Sequence, residues 1–570
     1  MKIFFFRVDS SSLIGSGHVH RCINLAKYLK SKSVKCNFIS KNLSGNLISK
    51  IKRENFEVFT LPNRNLRKSR FKSDYDDWIS DTIENDIKDT IKILSKYNNI
   101  DYLIIDHYSL DIRWENKIRS YVDKIFVIED LTSRKHFCDY LLNFNIPNNN
   151  HKKYSKLINP HAKILLGPKY LLLPKNFNSN KKNLNINRIT FFIFFGYSDN
   201  FDLSYKTICY LERISNEKFF YNIVLGRSSI SSKKIKNLLK DKKNFKIYIS
   251  VNNILKIIKK SDIAISSGGF NSFERIRLLK PSLVINNAKN QNDICRSLSK
   301  YKLIEYIGEA KDLNFLKFKK SVKKIIQDYD QILNHLYKNK KLFPNDSIEN
   351  IYNIIKKDNK IINILIDKNS WLNDYLGSFI KDLRKNSYIV NIHYEYKTLN
   401  YSLCTFILSF SNKVPYNYLS LSNHNIVIHE SSLPQGRGWS PLTWQILEGK
   451  TKIPISLFSA SKEIDSGKIY MKDIIITKKI DLIDDLRLAQ ASKTFDLCKK
   501  FLRRKNFYLY NSKNQTGKPS YYTKRKPEDN ELDINASLKD NFDLLRVSDF
   551  NRYPAYFMLE NKKFKIKIEK

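Results

Sequence analysis

Short runs of β-branched and aromatic residues alternate along the chain with stretches in which apolar residues recur every three or four positions. The first rhythm is that of buried strands and the second that of amphipathic helices. The opening run Ile3-Phe4-Phe5-Phe6-Arg7-Val8 predicts a strand over 2–9, and further strands are expected over 34–40, 102–108, 125–130, 140–146 and 164–167. Between the first two, Cys22, Leu25, Ala26 and Leu29 keep helical spacing and predict a helix over 18–32. An Asn- and Lys-rich break at 176–187 reads as a linker. A second series follows, with strands over 190–196, 220–226, 245–250, 263–267 and 282–286, closed by a Lys/Asn-rich segment and the helix-like 348–357. A third opens at 361–367, continues over 388–394, 404–410, 425–430 and 453–460, and ends in a long helix over 482–505. A polar break at 511–518 precedes a Tyr- and Phe-rich tail. Strands alternating with helices predict an α/β protein of parallel sheets with crossover helices. The expected domains are 1–178, 187–357, 361–510 and 511–570.

Length agrees with several domains, because 570 residues exceed what one hydrophobic core serves. With 42% hydrophobic and 28% charged residues the chain reads as globular rather than disordered. A net charge of +45 raises the question of nucleic acid. Yet Lys, Asn and Ile rise together all along the chain, and the positive charge is spread rather than gathered on one face or arm. No nucleic-acid partner is expected, although a positive surface attracts phosphate-bearing small molecules. The seven cysteines are isolated, with no CxxC pair and no His at metal-ligand spacing. Neither a metal site nor a disulfide framework is therefore expected, and a reducing cytoplasm is the expected location. The first apolar run stops at Arg7, too short for a signal peptide, and no stretch approaches a membrane span.

Two short segments carry chemistry. The turn Gly15-Ser16-Gly17 after the first strand leads into a helix, an arrangement whose free N–H groups and dipole favour anions. His18 in the first helical turn is then kept neutral and ready to accept a proton. Taken alone, such a histidine is more often a cap or a space filler. The wider series, however, resembles the UDP-2,4-diacetamido-2,4,6-trideoxy-β-L-altropyranose hydrolases of pseudaminic acid synthesis. That series is Arg7-Val8-Asp9, Gly15 to Arg21, Asp106-His107-Tyr108, Trp114-Glu115, Glu129-Asp130-Leu131, Arg134, His136 and Leu166-Gly167-Pro168-Lys169-Tyr170. It continues through Gly196-Tyr197-Ser198-Asp199, Ser267-Gly268-Gly269-Phe270-Asn271-Ser272-Phe273-Glu274 and Asn290-Gln291, spanning about 1–300.

The resemblance implies a GT-B-like pair of Rossmann-like domains with the nucleotide in the cleft. It implies water attack at the anomeric carbon with loss of UDP and no metal, His18 being the base. Arg7, Asp9, Gly15, Gly17, Arg21, Asp106 and Tyr108 are the substrate residues expected in the first domain. Gly196, Ser198, Gly268, Gly269, Asn271, Glu274, Asn290 and Gln291 are those expected in the second, with Glu274 accepting from the ribose hydroxyls. The sequence departs from the family at Tyr197, Phe270-Asn271 and Pro174, around the nucleotide or sugar pocket.

The second segment is His429-Glu430-Ser431-Ser432-Leu433-Pro434-Gln435-Gly436-Arg437-Gly438-Trp439-Ser440-Pro441, with Ile464-Asp465-Ser466-Gly467 downstream. With Trp444 to Gly449 and the tail segments Arg525 to Asp529 and Tyr553-Pro554-Ala555, it resembles formyltransferases that use 10-formyltetrahydrofolate. The nearest branch acts on amino sugars, and methionyl-tRNA enzymes are more distant. This implies a Rossmann-like formyltransferase domain with a small C-terminal subdomain. An amine attacks the formyl carbon, an oxyanion develops and a proton leaves the amine. His429 is expected to serve the oxyanion or the proton, with Asp465 orienting it. The family places an Asn two residues before the His, where this chain has Val427; Asn425, on the same strand face, is the expected substitute.

Together the halves predict a bifunctional enzyme of nonulosonic acid synthesis. It would formylate a UDP-linked amino sugar and release UDP, with UDP-sugar and folate as its small-molecule partners and other enzymes of the pathway as candidates. The competing expectations are a GT-B glycosyltransferase in the first half, a tRNA-type formyltransferase in the second, or a nucleotide-sugar binding module without hydrolysis.

Overall fold

The computed structural model describes residues 2–64, 75, 78–146, 153–175, 177, 182–196, 199, 201–214, 217–226, 231–240, 242–249, 251, 253–357, 360–461 and 463–570. They form two compact units. One comprises Met1–Thr90, Ile100–Ile118 and Lys124–Lys357; the other comprises Ile91–Asn99, Arg119–Asp123 and Asp358–Lys570.

In the first unit, strands β1 (Ile3–Val8), β2 (Lys35–Lys41), β3 (Glu57–Leu61), β4 (Tyr102–Asp106), β5 (Lys124–Ile128), β6 (Tyr140–Asn143) and β7 (Lys163–Leu166) form one sheet. Its order is β3-β2-β1-β4-β5-β6-β7, and every pairing is parallel. Strands β8 (Ile189–Phe194), β9 (Phe219–Leu225), β10 (Phe245–Ile249), β11 (Ile263–Ser266), β12 (Ser282–Asn286) and β13 (Glu305–Glu309) form a second parallel sheet in the order β10-β9-β8-β11-β12-β13. Both orders reverse beside the first strand, and that reversal opens a crevice at the carboxyl ends of the strands. The strands beside it are buried on both faces and mostly apolar, as suits a sheet covered by helices on both sides.

One hydrophobic cluster runs through both sheets, from Phe4, Phe6 and Val8 to Phe273, Leu283 and Ile351. The helix Ser347–Lys356, expected to close the second series, packs instead on the first. Its Ser347 Oγ donates to Leu171 O (2.6 Å), and Tyr352 meets Tyr28 at 5.9 Å. The buried stripe Ile348, Ile351 and Ile355 explains why it docks as a helix.

In the second unit, β14 (Lys360–Leu365), β15 (Tyr388–His393), β16 (Ser402–Ile407), β17 (Ser422–His429), β19 (Lys452–Ser459) and β20 (Ile469–Ile476) lie in the order β15-β14-β16-β17-β19-β20. The short β18 (Arg437–Gly438) pairs with β21 (Tyr521–Tyr522) outside this sheet. The expectation of parallel sheets holds through β17, but β17–β19 and β19–β20 are antiparallel. The connection from β17, through β18 and the seven-residue helix Pro441–Leu447, brings the chain back antiparallel as β19, and a hairpin loop joins β19 to β20. The long helix covers Ile483–Tyr510 and leaves helical geometry at Arg504. The tail holds the helix Leu538–Val547 and the hairpin of β22 (Ala555–Leu559) and β23 (Lys562–Ile566).

Candidate functional site

The cleft of the first unit has a volume of about 400 Å³, and its walls are loops that leave the carboxyl ends of β1, β4, β5, β8, β11 and β12. Gly15, at φ 82°, turns the chain after β1 so that the helix Gly17–Ser31 starts against the cleft. That geometry favours glycine. His18, in its first turn, presents its ring to the cleft.

Behind the ring stands Asp106, the last residue of β4. Its Oδ1 lies 2.6 Å from His18 Nδ1, and Arg21 donates to both of its oxygens at 2.6 Å. A carboxylate only accepts, so Nδ1 carries a proton, and Nε2 is the ring nitrogen not engaged with Asp106. Burial pushes the Asp106 carboxyl up, but Arg21 and His18 outweigh it and hold it well below the ordinary carboxylate range. Asp130, beyond β5, accepts from Arg21 (2.6 Å) and from the Tyr108 hydroxyl (2.7 Å). Burial and then the Asp130 charge push the Tyr108 phenol well above its ordinary value, so it remains a donor. His18 also meets Tyr108 and Trp78 edge-on, at 4.8 and 5.6 Å, and Arg21 stands over the Phe144 ring at 5.1 Å. The imidazole is thus fixed from three sides.

Arg7 and Asp9 are placed otherwise. Both are fully buried and neither lines the cleft. Arg7 donates to Asp9 (2.6 Å) and Asp86 (2.7 Å), the Lys41 amide donates to Asp9 (2.7 Å), and His107 Nε2 lies 3.1 Å from Asp9. This ionic lattice supports the loops from beneath, with no surface left to touch a ligand. Asp106 likewise acts from behind His18.

Across the cleft, three loops form one rim. Asn287 Nδ2 donates to Phe195 O (3.1 Å), and the Gly268 amide donates to Gln291 Oε1 (3.2 Å). Gly196, Gly269, Asn271, Asn290 and Gln291 line this rim. Gly268 does not; a Cβ there would stand 2.0 Å from Cys295 Sγ, so its bare backbone serves close packing. Glu274 is buried, bonded by Asn271 Nδ2, and its carboxyl is raised chiefly by burial. It does not line the cleft. Ser198 and Tyr197 lie outside the described residues. Asp199 lines the cleft but spends both oxygens on the Leu203 and Ser204 amides at 2.9 Å, capping the helix Leu203–Ile214. Phe270 lines the cleft too and faces Phe144 at 5.7 Å.

Sequence reasoning passed over Trp78, Phe144, Lys289 and Asp199 as cleft residues and did not select Asp130. Asp130 had a signal, because it follows a strand next to Glu129. Trp78 had none: it reaches the cleft from a loop far from the others in sequence.

In the second unit, His429 ends β17 and its Nε2 donates to Gly436 O at 2.8 Å. Asp465 Oδ2 stands 3.9 Å from that nitrogen and accepts from the Gly438 amide at 3.3 Å. The two expected catalytic groups are brought together, just beyond hydrogen-bond reach. Asn425 is not. It lies four positions back on the strand, about 13 Å at the usual rise, and its Nδ2 donates to Leu419 O at 2.7 Å. Val427, the intervening residue on that face, packs against the Leu365 and Ile407 cluster. No asparagine on this strand reaches His429, because a strand shares a face but not a location.

The glycines of the motif have a structural account. Gly438 has φ 99°, and a Cβ there would stand 2.4 Å from Tyr522 O, so β18 can lie against β21 only with glycine. A Cβ on Gly467 would stand 1.7 Å from Ser459 O. Gln515 then locks the Asp465 loop by donating to Asp465 O (2.8 Å) and Gly467 O (2.9 Å), while accepting from Arg437 (2.6 Å).

No family model matches the chain. Over 300 residues, 53% of this chain and 97% of that protein, it is 27% identical to the UDP-2,4-diacetamido-2,4,6-trideoxy-β-L-altropyranose hydrolase of Campylobacter jejuni. It is also 27% identical over 297 residues, 50% of this chain, to an uncharacterized protein of Methanocaldococcus jannaschii, of which the match spans 55%. A further 164 residues, 28% of the chain, are 23% identical to 52% of the methionyl-tRNA formyltransferase of Thermodesulfovibrio yellowstonii. The chain thus spans about half the length of these last two relatives. Among solved structures, methionyl-tRNA formyltransferase from Clostridium thermocellum aligns with a TM-score of 0.33 and 22% identity, over 37% of this chain and 92% of that one. One half of the chain is similar to a UDP-sugar hydrolase, and another part is similar to formyltransferases.

Among the described residues, no helix is long and apolar enough to cross a membrane, and no group of three or more His, Cys, Asp or Glu is placed to hold a metal ion.

Proposed function

We propose that the first unit hydrolyses a UDP-linked amino sugar and that the second transfers a formyl group to an amino sugar. The observation that carries the first reading is the His18–Asp106 pair at 2.6 Å on the wall of a cleft between two Rossmann-like sheets. A water at the anomeric carbon gives a proton to His18 Nε2. Its oxygen bonds to that carbon as the carbon–oxygen bond to the diphosphate breaks, and UDP leaves with the electron pair. Asp106 balances the imidazolium so formed, worth about 10²–10⁴-fold in rate for a positioned base. Rim amides and Asn271, Asn290 and Gln291 hold the nucleotide side.

For the second reading, 10-formyltetrahydrofolate supplies the formyl group. The residues present fit such a donor, since His429 carries an N–H with Asp465 close by; Gly436 O accepts that N–H here and gives it up when the formyl oxygen takes its place. His429 donates to the developing oxyanion, and Asp465 steadies its charge. The amine that attacks is, on this reading, the 4-amino group of the nucleotide-linked sugar. Formylation would then precede release of UDP and feed a pseudaminic-type acid.

Mass spectrometry of products from a UDP-linked 2-acetamido-4-amino sugar, with and without 10-formyltetrahydrofolate, tests both. The expected result is gain of one formyl group together with free UDP. A glycoside in place of free sugar would replace hydrolysis by glycosyl transfer. Formylation of charged tRNA but not of the sugar would move the second reaction to the tRNA branch.

A further inference from the structure

A fully buried ionic cluster lies behind the cleft wall and is used by none of the steps above. His136 Nδ1 lies 2.7 Å from Glu115 Oε1, and its Nε2 lies 2.8 Å from Glu129 Oε2. Two carboxylates only accept, so both ring nitrogens carry protons and the ring is an imidazolium. Burial works against that charge, but Glu115 and Glu129 outweigh it and raise His136 to about 9.

Glu129 also receives Arg134 NH2 and, at 2.5 Å, the Leu131 amide. The other guanidinium arm donates to Tyr108 O (2.6 Å), Leu110 O (2.8 Å) and His107 O (3.2 Å), and Arg134 stands 5.6 Å over the Tyr108 ring. Tyr154 holds the same loop by donating to Leu131 O at 3.1 Å. Arg134 and Glu129 therefore clamp the two loops that bear Tyr108 and Asp130, and Asp130 in turn holds Arg21 against Asp106 and His18. The charged and titratable groups facing His136 are Glu115 from the helix Ile112–Ile118 and Glu129 after β5, with Arg134 and Tyr154 beyond them.

We propose that His136 is a positioning residue for the hydrolytic site, its doubly protonated ring bridging Glu115 to the Glu129–Arg134 clamp that sets Tyr108 and Asp130. Loss of its proton removes a donor from one of the two glutamates and releases the clamp. The inference rests on the hydrolase reading for its activity assay, but its geometry is independent of that reading.

The test is a pH profile of UDP release by the full chain, taken together with the Trp78 fluorescence signal, defined by difference from Trp78→Phe. Trp78 stacks on Tyr108 at 5.0 Å and so reports the clamped loop directly. In the wild type both signals should change with a midpoint near pH 9. Glu115→Gln removes one of the two charges that raise His136, so the midpoint should move down by about one pH unit. His136→Gln, which does not titrate, should lower kcat roughly tenfold, leave KM within about threefold, and abolish the midpoint. A midpoint that stays in place in Glu115→Gln, or a His136→Gln chain that folds and keeps it, overturns the proposal. If no variant releases UDP, the hydrolase reading fails; the Trp78 midpoint and its movement in Glu115→Gln still decide the positioning claim.

Discussion

Asp106→Asn is the sharpest perturbation of the hydrolytic site, because it keeps volume and removes only charge and acceptor capacity. In the wild type one oxygen serves His18 Nδ1 and Arg21, and the other serves Arg21 Nε, all at 2.6 Å. An asparagine offers one oxygen and one NH2. If the NH2 faces Arg21 Nε, two donors meet. If it faces His18, the ring must present Nδ1 as acceptor and place its proton on Nε2, the nitrogen that should take the proton of water. Either orientation also leaves Arg21 balanced by Asp130 alone. The base contribution at stake is about 10²–10⁴-fold, or roughly 3–5 kcal/mol in the barrier. The assay is steady-state release of UDP, with formyl transfer by the same chain as a check that the protein is folded. The expected result is a fall in kcat of at least a hundredfold, with formyl transfer unchanged. A variant that keeps kcat within tenfold would refute the assignment of His18 and Asp106 as base and partner.

His429→Ala should abolish formyl transfer and spare UDP release, whereas Asn425→Ala should leave formyl transfer within about threefold, since its amide is engaged with Leu419 O; a dead Asn425→Ala would reinstate that residue. Gly467→Ala places a Cβ 1.7 Å from a backbone oxygen of β19. It should cost roughly 2–3 kcal/mol and lower formyl transfer and the melting temperature, while a neutral outcome in both would disprove the close approach. Stability should also fall on the alkaline side. His136 sits at about 9 against an ordinary 6.5, so its contribution of about 3 kcal/mol is complete below pH 6.5 and lost as pH rises through 9. Melting curves of the wild type and His136→Gln should therefore converge near pH 10; parallel curves would be the contrary result.

Much of this fold was legible along the chain. The strands that flank each switch point, β1, β4, β8 and β11, are mostly apolar runs, because a sheet covered on both faces favours them. Within the three large sheets, the strands not anticipated, β3, β13 and β20, all lie at edges and carry mixed, half-exposed sequences such as Glu-Val-Phe-Thr-Leu. With one side unpaired, an edge strand has no reason to be uniformly apolar.

The local sequence also determined the turn into the helix at His18, the strand end at His429 and the Gly-rich loops, because backbone conformation there depends on neighbours in the chain. What it left open is which groups meet. Asp106 at the end of β4, Asp130 (through Arg21) and Trp78 converge on His18 from parts of the chain far apart in sequence, an arrangement fixed by the order of strands in the sheet. Arg7 and Asp9 stand in the same motif as His18, yet they belong to a buried lattice with Asp86 and Lys41. Asn425 shares a strand face with His429 and is still too far away to act with it. Periodicity reports the face a side chain occupies; distance in space depends on strand pairing and packing, which only the tertiary structure sets.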